Sequence, residues 1–229
     1  ENMVYDPQDP YTNRDFRFYA NILYDGASYK GHVMNIHYTK ENGKEVAGVD
    51  ITPYGTTETN AVSKTGYYMG KFVNKDANID NSTTKASNQN YIIWRFAEVL
   101  LDYAEIDFKQ GRPGDALKKI NKIRSRAHMY ELDNITWDAI LNERRVEMAF
   151  EETTYWDLLR YNIAEEKMSG ATNPIKAMKI VKEDGKPTTY TISNMDRYPS
   201  RVRLYRSMQY YYPIPWDEIR YQGIEQNPE

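Results

Sequence analysis

The chain has 229 residues, no cysteine, 21 tyrosines and a formal net charge of −3. The lack of cysteine excludes a disulfide framework, a cysteine zinc site, a thiol nucleophile and an iron–sulfur centre. The 30 basic and 33 acidic residues argue against a nucleic-acid binder, which normally carries a basic excess. Mean hydropathy is low, at −0.81. Aromatic residues nevertheless make up 14% of the chain, which is unlike a disordered protein.

The chain begins at Glu1 with neither a basic segment nor an apolar stretch, so no targeting segment is visible. Its apolar runs are only a few residues long, and none of them predicts a bilayer-spanning helix. A first residue other than Met is consistent with a processed protein or with a fragment, and either of these would lack any upstream signal or anchor.

The distribution of residue types divides the chain into three segments. Residues 91–170 hold seven of the nine leucines and one of the ten prolines, whereas 1–90 and 171–229 hold 16 of the 21 tyrosines. This distribution predicts a helical block between two tyrosine-rich flanks of loops and short strands. We expect 1–229 to form a single domain with this organisation.

The N-terminal flank shows short alternating patterns. Residues 16–23 and 33–38 are predicted as strands, with turns at Gly26, Gly31 and Gly43. Residues 56–65 and 76–90 are predicted as polar loops.

One of these loops, Asp76 to Ser82, has the alternating oxygen-bearing residues that begin a calcium loop. Its sixth position is Asn81 instead of glycine, and its twelfth is Ser87 instead of glutamate. A solvated loop is therefore the favoured interpretation, and no metal site is predicted there.

The helical block begins with apolar residues that recur at helical spacing. They form one face of a long predicted helix and comprise Ile93, Ala97, Leu100, Leu101, Ala104 and Phe108. Gly111 ends this helix, and a second follows from Ala116 to Ala127. The short connection predicts an antiparallel hairpin, and the spacing of small and large residues matches a tetratricopeptide repeat. Two helix pairs are too few for a stable solenoid, so either the flanks cap the block or further repeats precede it.

A third helix is predicted from Trp137 to about Glu152, with Asn134 or Thr136 as its cap, and a fourth from Tyr155 to Tyr161. The third carries Glu143, Glu147 and Glu151 on one face. The fourth helix is expected to place Tyr155 and Trp156 in the core, and the first helix is expected to place Tyr103 there.

A carboxylate pair such as Glu143 and Glu147 is one arrangement used by glycoside hydrolases. Ion pairing is the favoured interpretation, because arginines lie within one turn and Arg144 can reach Glu147 at i+3. Two carboxylates one turn apart also lie on one side of any substrate and cannot flank a glycosidic bond.

The C-terminal flank contains a predicted β-hairpin turning at Asp184-Gly185, and an extended segment at 210–215 that is marked by two prolines. His32, His37 and His128 are the only histidines, and their spacing predicts neither a metal cluster nor a catalytic triad. No nucleotide-binding glycine motif occurs, and no cofactor is predicted.

The tyrosines offer a different kind of chemistry. An aromatic ring has an apolar face and, in tyrosine, a polar tip, so it can stack on a sugar and hydrogen bond to its hydroxyls. The candidates in loop-like polar stretches, with one neighbouring amide, are Tyr5, Tyr11, Asn13, Tyr29 and Tyr54. Any single one is more often a packing residue than a ligand contact, and as a group they favour a binding protein over an enzyme.

Five stretches resemble the SusD/RagB family of surface lipoproteins of the Bacteroidota. They are NRDFRF from Asn13, TGYYMGKF from Thr65, the two helical runs YIIWRFAEVLLDYAEIDFKQGRPGDALKKINKIRSRA from Tyr91 and ILNERRVEMAFEETTYWDLLRY from Ile140, and the closing YYPIPWDEI with QNP. The chain departs from the family pattern at Phe16, Glu152 and Tyr155, where Pro, Gly and Arg are common. The matches resemble only the C-terminal portion of a typical member.

The resemblance implies a mainly α fold with tetratricopeptide-like helical hairpins, long irregular loops and a few short β-strands. It also implies a non-catalytic cell-surface protein of the outer membrane, lipid-anchored through an upstream cysteine, that captures glycans for a SusC-type TonB-dependent transporter. Peptide capture, as in RagB-like members, and a tetratricopeptide-type protein-interaction module without sugar binding are the alternatives. The family signature residues are expected to be structural: Glu98, Glu105, Arg124, Arg126, Glu143, Arg144, Glu147, Asp157 and Arg160.

Overall fold

The computed structural model describes residues 5–51, 62–74, 90–170, 173–194 and 203–227. The chain divides into two compact units. Unit 1 comprises Glu1–Glu151 and Met178–Ile192, and unit 2 comprises Glu152–Ala177 and Ser193–Glu229.

Helices are the main regular element of the described residues, and this confirms the predicted mainly α fold class. The helices are α1 (Phe16–Asn21), α2 (Phe96–Lys109), α3 (Pro113–Arg126), α4 (Trp137–Glu147), α5 (Thr153–Arg160), α6 (Ala164–Met168) and α7 (Trp216–Gln222). The strands are β1 (Ile22–Leu23), β2 (Ser28–Tyr29), β3 (His32–Val33), β4 (Tyr38–Glu41), β5 (Lys44–Ala47), β6 (Tyr68–Met69), β7 (Lys176–Glu183) and β8 (Thr189–Asn194). Two 3₁₀ turns are Val49–Ile51 and Ser207–Tyr210.

The predicted antiparallel hairpin is formed by α2 and α3. Helix α2 ends at Lys109, and Gly111 then takes a left-handed conformation with φ of 73° that an L side chain would resist. Pro113 opens α3 at its first position, where its missing N–H leaves no helical bond unmade. The chain therefore reverses within three residues, and the two helices pack side by side.

The core of unit 1 lies where α2, α3 and α4 meet. Its buried members are Leu101, Ala104, Ala116, Ile120, Ile123, Ile140 and Met148, with half-buried Leu100, Phe108, Leu132, Ile135 and Trp137 around them. The alanines let the helices approach closely, and the branched side chains fill the space between them. The helical periodicity of the sequence thus identifies most of this core.

Helix α4 starts as predicted but ends early. The Thr136 side chain caps it by accepting a hydrogen bond from the Ala139 N–H at 3.2 Å. The predicted end near Glu152 is wrong, because α4 stops at Glu147, and Phe150 and Glu152 both have positive φ. Two left-handed residues within three positions cannot continue a right-handed helix.

Residues 16–23 are not the predicted strand. The Asp15 side chain accepts a hydrogen bond from the Arg17 N–H at 2.9 Å, and this cap starts the short helix α1. Only the last two predicted strand residues are extended, as β1, which pairs antiparallel with β6. The cap therefore overrides the alternating apolar pattern.

The predicted strand at 33–38 is also mostly wrong. The Asn35 N–H donates to the Asp50 carboxylate at 2.6 Å, and the Ile36 N–H donates to the Asp25 carboxylate at 2.8 Å. Carboxylates here take the place of a neighbouring strand as hydrogen-bond acceptors.

The larger sheet has the strand order β5-β4-β7-β8. Strand β4 pairs antiparallel with β5 and parallel with β7. The predicted hairpin at Asp184-Gly185 joins β7 to β8, with Gly185 at a φ of 70°, and is confirmed.

Unit 2 contains α5, α6, the 3₁₀ turn at Ser207–Tyr210 and α7. Helix α5 matches the predicted fourth helix, and an extended segment precedes α7 as the prolines indicate. The Gln226 side-chain amide holds this segment: its carbonyl accepts from the Ile214 N–H at 2.8 Å and its NH₂ donates to the Ile214 carbonyl at 3.1 Å. Asn227 donates to the Tyr212 carbonyl at 2.6 Å, so the closing motif ties the end of the chain to the proline segment.

Helix α2 also carries a second apolar stripe that faces solvent in this chain, formed by Phe96, Val99, Tyr103 and Ile106. Tyr103 is 55% exposed, so its expected place in the core is wrong. Ile93 lies before the helix and is 81% exposed, so it does not belong to the core face either. No helix of the described ranges is long and apolar enough to cross a membrane.

Two isoleucines test the assignment of the core. Ile120→Ala removes a fully buried side chain and should lower the free energy of unfolding by about 2–5 kcal/mol in urea denaturation. Ile106→Ala makes the same chemical change on the solvent-facing stripe and should cost well under about 1 kcal/mol. Equal losses from the two variants would contradict the assignment.

Candidate functional site

Three glutamates of unit 1 form a buried row, which we call the glutamate row: Glu143, Glu147 and Glu151. The first two lie one turn apart on α4, and the third follows its end. Their side chains are 2%, 1% and 6% exposed. Buried carboxylates at this depth require positive partners, since an unpaired buried charge is very costly.

Two arginines from different segments contact the first glutamate of the row, Glu143, and one of them also contacts Glu147. Arg17 Nη1 on α1 lies 2.6 Å from Glu143 Oε1 and 2.9 Å from Glu147 Oε2. Arg124 Nη1 on α3 lies 2.9 Å from Glu143 Oε2. One guanidinium of the N-terminal flank therefore bridges two carboxylates of α4.

Three further cations contact the other two glutamates of the row, Glu147 and Glu151. Arg95, just before α2, contacts Glu147 Oε1 at 2.5 Å through Nη1 and Glu151 Oε2 at 2.6 Å through Nε. Arg126 Nη2 lies 2.5 Å from Glu147 Oε1, and the Lys71 ammonium pairs with Glu151. The row thus joins α1, the segment after β6, α2 and α3 to α4.

The balance of burial and pairing favours the ionised forms of Glu147 and Glu151. Burial acts to raise the pKa of Glu147, but hydrogen bonds from Arg95 and Arg17 outweigh it, so this pKa lies below its usual value. Burial acts on Glu151 in the same way and is outweighed by Arg95 and Lys71, which lower the pKa of Glu151. Both groups are charged at neutral pH.

This geometry does not suit acid–base catalysis by Glu143 and Glu147. Both carboxylates are buried, both contact the same Arg17 guanidinium, and neither is open to a substrate. A catalytic acid would need a raised pKa, whereas the pKa of Glu147 is lowered. The arrangement serves to hold segments together.

The other signature residues also lie in ion pairs. Arg144 contacts Asp102 at 2.7 Å and Glu98 at 3.7 Å on α2, so its predicted pair with Glu147 is wrong because its side chain points to the neighbouring helix. The further pairs are Glu105 with Lys109 at 3.3 Å and Asp157 with Arg160 at 2.9 Å. Sequence reasoning missed Arg17, Lys71 and Arg95, which no local spacing connects to the row.

The predicted ligand residue Tyr11 is part of an aromatic cluster of unit 1. Its ring centroid lies 4.6–6.3 Å from the rings of Phe18, Tyr24, Tyr67 and Tyr190. Burial, together with the nearby Tyr67, raises the pKa of the Tyr11 hydroxyl. Most of this ring is in contact with other rings and is not presented as a stacking platform.

The remaining predicted ligand residues are scattered. Tyr5 is 45% exposed, and the Arg14 guanidinium lies 5.1 Å from its ring centroid. Asn13 is exposed with a positive φ of 54°, and Tyr29 lies half-buried in the β2–β3 hairpin. Tyr54 and the loop Asp76 to Ser82 lie outside the described residues.

Unit 2 contains an open groove of about 1180 Å³. Its lining comes from α5, α6 and the 3₁₀ turn and includes Trp156, Arg160, Asn162, Glu165, Tyr210 and Tyr211. Trp156 and Tyr211 are each 59% exposed.

Local contacts hold the walls of the groove in place. The Glu165 N–H donates to the Tyr210 hydroxyl at 3.1 Å and joins α6 to the 3₁₀ turn. The Tyr210 ring packs edge-on against buried Tyr205 at 5.6 Å, and the Trp156 ring packs against Tyr155 at 5.2 Å. The Tyr210 and Trp156 rings therefore have contacts that hold them in the absence of a ligand.

The expected core position of Trp156 is wrong. Helix α5 is one of the walls of the groove, and its tryptophan is turned towards that open space. The groove also combines the helical block with the C-terminal flank, so the sequence could not bring its residues together. The YYY run at 210–212 was the available signal.

Among the described residues, no group of histidines and carboxylates is arranged to hold a metal ion. His37 Nδ1 lies 2.6 Å from the buried Asp25 carboxylate, and His32 Nε2 lies 2.8 Å from Asp50. Each of these two histidines thus pairs with its own acidic side chain.

An α-helical hairpin scaffold held by buried ion pairs, with an aromatic-lined groove and small sheets, defines the class of fold. The model of the SusD family matches residues 1–229, and the chain belongs to that family. A curated relative, SusD-like protein P25 of Formosa agariphila, is 36% identical over 104 residues, which are 42% of this chain and 19% of that protein.

Two solved structures share the fold. A SusD-like protein from Bacteroides fragilis NCTC 9343 is similar with a TM-score of 0.68 and 26% identity, over 95% of this chain and 39% of that one. Surface glycan-binding protein A from Bacteroides uniformis gives a TM-score of 0.51 and 27% identity, over 75% and 34% of the two chains. The chain thus spans well under half the length of these relatives.

Removing one carboxylate tests the structural role of the row. Glu147→Gln leaves Arg17, Arg95 and Arg126 without a shared counter-charge and should lower the free energy of unfolding by about 3–5 kcal/mol in urea denaturation. Glu131→Gln changes an exposed glutamate and should stay within about 0.5 kcal/mol of the parent chain. A similar change in the free energy of unfolding for both variants would contradict the structural role of the glutamate row.

The same row should produce acid sensitivity. Because the folded pKa values of Glu147 and Glu151 lie below the unfolded value of about 4.3, their stabilisation is present above that pH and is lost as the pH falls through the folded values. Unfolding measured from pH 7 to pH 3 should show this loss, and it should be smaller in Glu147→Gln. A pH dependence unchanged by that substitution would contradict the assignment.

Proposed function

We propose that the protein to which this chain belongs captures glycans at the cell surface and that the groove of unit 2 binds sugar. The carrying observation is the groove itself, in which exposed Trp156 and Tyr211 rings stand beside amide, carboxylate and guanidinium groups. Flat rings stack on the C–H faces of sugar rings, and the polar groups receive and donate hydrogen bonds to hydroxyls.

Family membership supports a binding role. One solved relative of the same fold is described as a surface glycan-binding protein. The burial and pairing of Glu143 and Glu147 speak against the hydrolase alternative. We therefore propose a binding protein without catalytic activity.

The flank residues Tyr5, Tyr11, Asn13, Tyr29 and Tyr54 remain proposed as individual ligand contacts. Tyr5 is the favoured member, because its ring is exposed and backed by Arg14. Tyr11 would contribute indirectly, by packing within the aromatic cluster. The loss of sugar affinity in Tyr5→Ala is to be compared with the loss in a variant of the groove.

The partner and location are proposed from the family resemblance. The glycan would pass to a SusC-type TonB-dependent transporter in the outer membrane, and a lipidated cysteine outside this chain would anchor the protein on the outer face. Capture of peptides, as in RagB-like members, and a protein-interaction module without sugar binding are the alternatives.

Loss of the stacking ring should weaken sugar binding. Trp156→Ala should reduce the affinity for a bound oligosaccharide by about 1–3 kcal/mol, on the scale measured for stacking of nucleobases on aromatic rings. Isothermal titration calorimetry against a panel of oligosaccharides measures this loss. Trp216→Ala is the matched control, since Trp216 is 74% exposed on α7 and lies outside the groove lining.

If Trp156→Ala and Trp216→Ala lose similar amounts of oligosaccharide affinity, the loss does not come from the groove. Loss with Tyr5→Ala but not with Trp156→Ala would move the sugar site to the N-terminal flank. Failure of the full-length protein to bind any saccharide, combined with binding of peptides, would replace the glycan proposal by peptide capture.

The transporter proposal has its own test. The full-length protein, tagged and recovered from detergent-solubilised outer membranes of its own organism, should bring a SusC-type transporter with it. Glu131→Gln in the same full-length protein serves as a control for handling and folding. Sugar binding without any recovered transporter would contradict the partner while leaving the capture role in place.

A further inference from the structure

The charged side chains that line the groove differ in whether an oppositely charged side chain pairs with them. Arg160 Nε lies 2.9 Å from Asp157, and its guanidinium also lies over the Tyr161 ring at 4.0 Å. Glu166 has Lys167 as its partner at 2.6 Å. The Glu165 carboxylate makes neither an ion pair nor a hydrogen bond with any described residue. The described lining therefore carries a negative charge that Glu165 contributes.

The position of Glu165 is defined by its backbone. Its N–H donates to the Tyr210 hydroxyl, so the residue is held next to one of the rings of the groove. Its side chain is exposed and free of competing contacts among the described residues. An ionised carboxylate offers only acceptor sites, and two oxygens can accept from two neighbouring hydroxyls.

We propose that this groove selects neutral oligosaccharides and disfavours chains that carry uronate or sulfate groups. The proposal rests on the proposed function, in which the groove binds sugar. In the groove, a sugar ring stacks on Trp156 while two hydroxyls of the sugar donate charge-assisted hydrogen bonds to the Glu165 carboxylate. A carboxylate on the sugar would meet like charge instead, and Arg160 is already neutralised by Asp157.

Sugars that differ only in charge give the sharpest test. Manno-oligosaccharides and oligomannuronates share their ring stereochemistry, but the latter replace each CH₂OH by a carboxylate, and the same holds for galacto-oligosaccharides and oligogalacturonates. Chains of equal length are titrated into the parent chain, Glu165→Gln and Glu225→Gln. Glu225 is an exposed glutamate outside the groove lining and is the matched control.

The neutral member of a pair should bind the parent chain more tightly than the uronate member. Glu165→Gln should narrow this preference by on the order of threefold to tenfold, because it removes one like charge and keeps the shape of the side chain. Glu225→Gln should leave the preference unchanged. Raising the salt concentration from about 0.1 M to about 1 M should narrow it in the parent chain as well, since the screening length falls from about 10 Å to about 3 Å.

The outcomes separate this inference from the function on which it depends. If uronate chains bind the parent chain as tightly as neutral ones and lose affinity on Trp156→Ala, the groove binds sugar but the proposed selectivity is wrong. If the preference exists but Glu165→Gln and salt leave it unchanged, Glu165 does not determine it. If neither pair binds but the panel of oligosaccharides identifies another neutral chain as a ligand, that chain and its uronate counterpart take the place of these pairs. Binding of no saccharide at all contradicts the proposed function of the groove together with the inference. Melting temperatures of all variants show whether each is folded.

Discussion

The pairing of three buried glutamates with cations from four separate segments is the interaction on which unit 1 depends. The side chains of Glu143, Glu147 and Glu151 are deeply buried, and a buried carboxylate without a positive partner is very costly. The cations come from α1, from the segment after β6, from the start of α2 and from α3. Burial of apolar side chains packs the three helices, whereas the ion pairs determine which loops and flanks lie against them.

The row also explains why an acidic motif that resembles a catalytic pair is not one. A catalytic carboxylate must reach a substrate and hold or release a proton near the working pH. Here the same arginine contacts both candidate groups, and the pKa of Glu147 is lowered by its partners. Motif spacing alone leaves both interpretations open, and the surroundings decide between them.

Sequence reasoning succeeded where the decisive interactions are local. The α2–α3 hairpin, the Thr136 cap and the turn at Gly185 all follow from residues a few positions apart. It failed at residues 16–23 and 33–38, where Asp15 caps a helix and where Asp25 and Asp50 replace a strand as acceptors. Such side-chain acceptors leave no periodic signal.

The candidate site was harder to predict than the fold for the same reason. Trp156 lies on a helix with an amphipathic pattern, which is typical of a core residue, and only its meeting with the 3₁₀ turn near Tyr210 makes it part of a groove. The two segments are some fifty residues apart in the sequence. No spacing rule connects them, whereas the family resemblance was recognisable because it rests on contiguous motifs.

The sequence distances within the glutamate row have a kinetic consequence. Glu143 finds Arg124 only 19 positions away, but its other partner, Arg17, is 126 positions away. Closing a longer loop costs more chain entropy, so nearby pairs form more readily than distant ones. Three of the five cations, Arg95, Arg124 and Arg126, belong to the helical block and can pair with the row as the helices assemble. We expect docking of the N-terminal flank, which brings Arg17 and Lys71, to complete the row as a late step in folding.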